Sequence, residues 1–342
     1  LTLEGKKIEG LPRRLMVQVR QLFVYTNAEN FGWLAGKRNE LVRVAENMVR
    51  DYFEADGAPG WVMAVDNKGA ITDAKRDFYA HAFALLGMSC AYKLTNNKNY
   101  LDIADRTLAF LDGHMAHPSG GYVNCLPAKD NIRSQDPHMH LLEGLIALHD
   151  VAPDRGYLMR AGKLVQLFKE RFFQQKTGTL PEDFAMDWSV LPGDQGRLFE
   201  PGHHCEWIWL LKNYNRRAGE RDDQALMNSL AKAVTVYGRT PTGLLWSEVR
   251  DDGVVINNTS RAWPHTEAIR SALITDNIAE ADMWMDVLYN RFLKLGGQKG
   301  CLGGWNEQWD AEGKPLVNYL PASSLYHIVG AMAEYEAKCG RP

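Results

Sequence analysis

Apolar residues recur at i, i+3, i+4 and i+7, with charge opposite them, in five segments: residues 34–53, 99–115, 156–173, 222–238 and 279–295. That is the pattern of an amphipathic helix with one face on a core. Six further stretches are apolar nearly all round and open on a cationic or titratable residue. They are VRQLFVY at Arg20, AHAFALLG at His81, MHLLEGLIAL at His140, GHHCEWIWLL at His203, PHTEAIRSALI at His265 and YHIVGAMAEY at His327. Their anchors fall 61, 59, 63, 62 and 62 residues apart. Helices apolar on every side belong inside, so the chain alternates buried and surface helices on a regular beat.

A second series keeps the same period. Glycine leads into an apolar or aromatic residue at Gly60-Trp61, Gly121-Tyr122, Gly178 before Leu180, Gly243-Leu244 and Gly304-Trp305. Turn signals follow at DNKG (66–69), DDG (251–253) and AEGK (311–314), flanked by short extended runs. The N-terminal LTLEGKKIEGLPRR reads as the same hairpin with its first strand cut off. The glycine-rich GGQKGCLGG (296–304) lacks the GK[ST] of a phosphate loop and reads as a turn before a hairpin.

One unit is therefore hairpin, buried helix, surface helix. Six units close into an all-α (α/α)6 barrel, with inner and outer rings of six helices and short β-hairpins at one mouth. Five outer helices are visible, so an N-terminal outer helix is expected to be absent from this chain. No Pro/Ser-rich linker divides it, and residues 1–342 read as a single domain.

Composition narrows the partners. A formal net charge of −3 over 342 residues offers no basic footprint for nucleic acid. The longest apolar run, AHAFALLGMSCAY (80–92), is too short to span a bilayer. Five scattered cysteines with no CxxC suit free thiols in a reducing cytosol, so a cytoplasmic location is expected. The chain begins at Leu1, which leaves an upstream segment open.

In such a barrel the inner helices converge at one end, so all six anchors are expected to line one cavity. His140 and Glu143 are i,i+3, as are His203 and Glu206, so each glutamate can orient its histidine. His265 and Glu267 are i,i+2 and diverge. Asp136 and Pro137 suit the N-cap and first position of the His140 helix. Trp207, Trp263, Trp305 and Trp309 offer flat apolar faces near the same end, as a sugar cleft needs. A metal is disfavoured. His138 and His140 are i,i+2 and point to different sides of a helix, adjacent His203 and His204 also diverge, and HExxH and CxxC are absent. No metal and no cofactor are expected.

RLMVQVRQLFVY (14–25), HMHLLEG (138–144), PGHHCEW (201–207), RAWPHTEA (261–268) and LYHIVGAM (325–332) together resemble the N-acylglucosamine 2-epimerase superfamily. The resemblance runs from about residue 14 to 337 and is nearest in look to the mannose isomerase branch. It implies an (α/α)6 barrel and metal-free proton transfer beside a sugar carbonyl, through a cis-enediolate. It also implies that His203 and His327 are acid and base, that His140 assists ring opening or contacts an oxygen, and that Arg20 steadies the enediolate. Glu206 and Glu143 would support their histidines, and Met139, Asp136, Trp263 and Glu267 would lie near the substrate. His138 departs from relatives that carry an amide there. The expected function is mannose–fructose-type aldose–ketose isomerisation, with 2-epimerisation of an N-acylglucosamine or another sugar as the alternative. A glycoside hydrolase, using two of Glu143, Glu206, Glu267 and Asp310, is a further rival. The expected partner is a small-molecule sugar, with a homodimer left open.

Overall fold

The computed structural model describes residues 1–294 and 303–340. Most of the glycine-rich 296–304 stretch, with Cys301, lies outside the described residues. Eleven α-helices are described. The inner ones are α1 (Leu15–Asn30), α3 (Phe78–Thr95), α5 (Asp136–Val151), α7 (Pro201–Ala218), α9 (Ala262–Ile274) and α11 (Leu325–Cys339). The outer ones are α2 (Arg38–Tyr52), α4 (Asn99–Phe110), α6 (Tyr157–Leu167), α8 (Gln224–Tyr237) and α10 (Ile278–Val287). Three outer helices run on into π-helical segments, Leu111–Met115, Phe168–Phe172 and Leu288–Leu293.

Local sequence explains the ends. Asp77 caps α3, its carboxylate accepting the Ala80 N–H at 3.0 Å. That helix stops where Asn96 turns left-handed. Pro201 opens α7 and left-handed Gly219 closes it. The α5 start differs slightly from expectation: Gln135 is the N-cap and Asp136 is already helical.

The inner helices touch in the order α1–α3–α5–α7–α9–α11–α1, so the ring closes. Their apolar faces meet in a core that includes Phe78, Phe83, Leu142, Trp207 and Tyr326. Trp207 stacks on Phe168, with centroids 4.2 Å apart, and Trp305 and Trp309 are also buried.

At one mouth the ring is stitched by short antiparallel pairs. The strand leading into each inner helix pairs with one from the following unit. Arg13–Arg14 meets Ala64–Val65, Arg76–Asp77 meets Cys125–Leu126, and Ile132–Ser134 meets Asp183–Ala185. Leu198–Phe199 meets Glu248–Arg250, and Ser260–Arg261 meets Gln308–Trp309. The N-terminal segment supplies the remaining stitch. Thr2 bridges to Tyr319, and Leu1 and Leu320 exchange backbone hydrogen bonds at 2.7 and 3.1 Å. It is thus a clasp onto the last unit. The turns at 66–69 and 251–253 join hairpin strands as expected. No described helix is long and apolar enough to cross a membrane.

Candidate active site

The histidines of the inner helices form two sets that a single sixty-residue beat conceals. His81, His138, His204 and His265 are fully buried and each ties its helix to a neighbouring bridge. Each Nδ1 meets the carbonyl four residues back: Asp77 at 2.7 Å, Ser134 at 3.1 Å, Glu200 at 3.4 Å and Arg261 at 2.9 Å. Each Nε2 accepts a backbone N–H at 3.0 Å, from Trp61, Tyr122, Leu180 and Leu245 respectively. A carbonyl on one nitrogen and an N–H on the other fix one neutral tautomer. Burial pushes these imidazoles down to about 4, 3, 4 and 4.

The N–H donors belong to the glycine-led series, so the two periodic patterns are the two halves of one contact. Gly60 and Gly121 have φ of +89° and +66°, and a Cβ there would lie 2.8 and 2.6 Å from the His81 and His138 Nε2 atoms. Only glycine fits both the conformation and the approach.

This corrects the expectation that six anchors share one cavity. Arg20, His140, His203 and His327 do, whereas His81 and His265 do not. Tyr79 and Trp263, two positions earlier on their helices, face the space instead. The cavity holds about 300 Å³ and is also lined by Asp136, Glu200, Glu206, Met16, Arg14, Arg261, Ser323 and Ser324. Its place at the N-terminal ends of the inner helices follows from the ring geometry.

Three imidazoles reach it, each held from behind by a carboxylate. His203 Nδ1 is 2.7 Å from Glu182 Oε2. Glu182 in turn accepts the Glu200 N–H at 2.8 Å and the Gln135 amide at 2.9 Å. His327 Nδ1 is 2.8 Å from Glu267 Oε1, whose other oxygen binds Arg270 at 2.9 Å. Arg270 continues to Glu334 at 2.9 Å and lies over the Trp209 ring. His140 Nδ1 is 3.3 Å from Glu143 Oε2, and Tyr326 donates its hydroxyl to the other Glu143 oxygen. With Nδ1 engaged, Nε2 of His203 and of His327 is left for the cavity. Trp263 adjoins both rings, its centroid 5.0 Å from His203 and 5.5 Å from His327.

Charge separates the histidines. Burial disfavours a charged His203, but the nearby carboxylates of Glu182 and Glu200 outweigh it and hold its pKa well above 6.5. Burial, with Arg20, His140 and Arg270 nearby, holds His327 well below 6.5. The surroundings thus favour the imidazolium at His203 and the free base at His327. His140 is pushed down to about 4, chiefly by burial. Burial raises Glu206 well above the ordinary carboxyl range, with Glu267 and Glu143 adding to it, which favours its protonated form. Burial lifts Asp136 and Glu200 to about 7 against the pull of His203.

Arg20 donates to the Tyr79 hydroxyl at 2.7 Å and lies over the Phe83 ring at 4.5 Å. Its Nε is buried without a partner, and it forms no ion pair with any described residue. A buried guanidinium with no carboxylate is a ready acceptor of negative charge that develops in the cavity.

Several expectations change in detail. Glu206 lies 3.8 Å from His140 Nδ1, while Glu182 on the hairpin holds His203. His203 sits in the first turn of α7, at the rim, where the hairpin reaches it. Glu267 is fully buried behind His327, and Met139 is packed in the core, so neither lines the cavity. Glu143 stands behind His140. Of the four tryptophans, only Trp263 lines the cavity. His138 is one of the backbone ties, among Phe78, Phe172 and Trp188. Glu182, Glu200 and Tyr79 were not singled out by sequence. The glutamates lie in the loops and strand flanks where no helical spacing exists to read.

Among the described residues, two groups bring ligand-capable atoms within 4.8 Å of one another: His140 with Glu143 and Glu206, and His203 with Glu182 and Glu200. In each, the histidine Nδ1 is already hydrogen-bonded to a carboxylate, so a cation there would have to displace that proton.

A family profile described as N-acylglucosamine 2-epimerase (GlcNAc 2-epimerase) matches residues 1–331. A mannose-6-phosphate isomerase of Rhizobium meliloti (strain 1021) is 30% identical over 339 residues, spanning 95% of this chain and 86% of that protein. A D-mannose isomerase of Thermobifida fusca is 24% identical over 234 residues, 63% of this chain and 57% of that one. The structure of cellobiose 2-epimerase from Bacillus thermoamylovorans B4167 superposes with a TM-score of 0.83 at 19% identity, covering 98% of this chain and 90% of that one. Likeness at that identity establishes the shared barrel.

Proposed function

The chain belongs to the N-acylglucosamine 2-epimerase family, and on that premise we propose that it is an aldose–ketose isomerase of the mannose–fructose type. The observation that carries the reading is that His203, backed by Glu182, and His327, backed by Glu267, line one cavity beside Trp263 with Nε2 free; carboxylates hold the first imidazole's pKa up and burial holds the second's down. Removal of a weakly acidic C–H needs a free base, and oxygen-to-oxygen proton traffic needs an acid. Neutral His327 takes the C2 proton of the open-chain aldose. The electron pair forms the C1–C2 double bond and leaves negative charge on O1, beside the unpaired Arg20 guanidinium. Imidazolium His203 gives O1 a proton and recovers one from O2. His327 then returns its proton to C1, giving the ketose with both histidines as they began. Trp263 offers its face to the sugar's C–H side. His140 and neutral Glu206 are placed to hand protons to ring and hydroxyl oxygens during ring opening. Nothing in this sequence of steps calls for a metal.

The relatives named mannose-6-phosphate isomerase and D-mannose isomerase support this branch. The second reading is 2-epimerisation. It rests on the same pair, because groups flanking Trp263 could serve both faces of C2, and relatives named cellobiose 2-epimerase fit it. Incubation with mannose, N-acetylmannosamine and cellobiose, with sugars identified by NMR, decides. Fructose from mannose supports isomerisation. A C2 epimer as sole product supports the second reading, and hydrolysis of the disaccharide without either contradicts both.

A further inference from the structure

The cavity rim is electrically lopsided. Around the ring, the residues leading α1, α11 and α9 are neighbours, and they bring Arg14, Ser323, Ser324 and Arg261 to one arc. The opposite arc, leading α5 and α7, carries Asp136 and Glu200. Arg14 forms no ion pair with any described residue and is exposed to solvent at the mouth. Arg261 is 3.3 Å from Glu307, which also accepts the Trp305 indole N–H, and its charge is also felt by Glu200 across the α7–α9 boundary, so two carboxylates partly offset this arc. Ser324 is 3% exposed, lines the cavity, and makes no side-chain cap to its own helix. Its hydroxyl has no partner among the described residues; the His327 and Ile328 N–H groups donate to the Ser324 carbonyl at 3.1 and 3.2 Å, which leaves those of Leu325 and Tyr326 at this helix start.

The same helices carry the reacting layer deeper in. Arg20 lies six residues past Arg14 on α1, about 9 Å along the axis. Trp263 follows Arg261, and His327 follows Ser324. An open-chain hexose with its C1–C2 end between His203 and His327 would extend its far end toward this arc.

We propose that the arc formed by Arg14, Ser323, Ser324 and Arg261 is an anion subsite that binds a phosphoryl group on the far carbon of the sugar, making the substrate a hexose phosphate. Two guanidiniums, the hydroxyl of a largely buried serine and a helix N-terminus are the donor set that phosphate recognition uses. This assignment rests on the isomerase reading for the sugar's orientation. Arg20 stays with the enediolate, so the two anionic centres have separate cations.

The experiment compares mannose with mannose 6-phosphate on the wild type, Arg14→Ala, Arg261→Ala and the double variant. The readout is the ratio of kcat/KM values, which cancels general losses within each variant. The wild type should favour the phosphate by at least ~10-fold, the scale of charge-assisted hydrogen bonds. Each single variant should lower the ratio, the double variant should bring it near one, and added salt should lower it in the wild type. A wild-type ratio near one overturns the subsite, as does a preference that survives the double substitution. Calorimetric binding of the two sugars to the same four proteins gives the affinity ratio whether or not either sugar is turned over. A failed isomerase reading would therefore show as binding without conversion, and a failed subsite as equal binding.

Discussion

Glu182→Gln removes a charge and almost no volume, and its consequence can be worked from the contacts. One Glu182 oxygen, Oε2, faces two groups, His203 Nδ1 at 2.7 Å and the Gln135 amide nitrogen at 2.9 Å. The other accepts the Glu200 N–H at 2.8 Å. An amide that keeps its oxygen on the Glu200 N–H must turn its NH2 toward His203. It can do so only if Nδ1 is a bare acceptor, which means a neutral ring of the other tautomer. A hydrogen bond to a charged partner is worth roughly 1.5–3 kcal/mol, which corresponds to a fall of about 1–2 pKa units for His203. Because His203 acts as the protonated partner, activity declines as pH rises through its pKa. The substitution should move that basic limb of the kcat/KM profile down by about 1–2 units, with activity recovering at lower pH. The assay is conversion across pH 5–10 for both proteins, with the His203 ring followed by NMR. A limb that stays in place, or a loss equal at every pH, would show that Glu182 is merely structural and would refute the charged-His203 account.

Other outcomes are expected with it. Arg20→Met should lower kcat at least ~10²-fold with a smaller change in KM, because its charge is met only in the enediolate; a pure KM effect would count against that role. The four backbone-tying histidines have folded pKa values near 3–4, below the ordinary 6.5. Unfolding therefore takes up protons. The contribution of these four is fully present above pH 6.5 and is lost as pH falls through about 4, at up to roughly 5 kcal/mol per pH unit; lowered His140 and His327 act in the same sense, and raised His203 acts only above pH 6.5, where its own contribution is lost as pH rises. Denaturant midpoints at pH 7.5, 6 and 5 test this, and a flat series contradicts it. His138→Ala should cost about 2–5 kcal/mol, since it strands the Tyr122 N–H and the Ser134 carbonyl, and a loss under 1 kcal/mol would deny the tie. Dialysis against a chelator should leave conversion intact; a loss restored by a divalent ion would assign the His140 or His203 cluster to a metal.

The barrel was legible because each unit repeats a periodicity, and periodicity survives in sequence. Outer helices expected at 99–115 and 156–173 correspond to α4 and α6 with their π-helical ends. The histidine site was only half legible. His138 with His140, and Trp263 with His265, place a tie and a cavity residue two positions apart, and His203 with His204 one apart. A beat measured to within a few residues cannot separate such neighbours. The carboxylate behind His203 was hidden for a different reason. Glu182 is brought by a strand pairing with the previous unit, Asp183–Ala185 on Ile132–Ser134, which is a tertiary contact. The i,i+3 rule pointed to Glu206 because it counts within one helix. It held for His140 and Glu143, and failed where a hairpin offered a nearer partner.

The central claim is that His327 carries one proton from C2 to C1 of a single sugar. Conversion of mannose carried out in deuterium oxide, with the ketose examined by NMR, tests it directly. Deuterium is expected at C1 of fructose, partly diluted by direct transfer, and should disappear together with turnover in His327→Ala. Fructose formed with no deuterium at C1 under any condition, or normal labelling and turnover in His327→Ala, would contradict it.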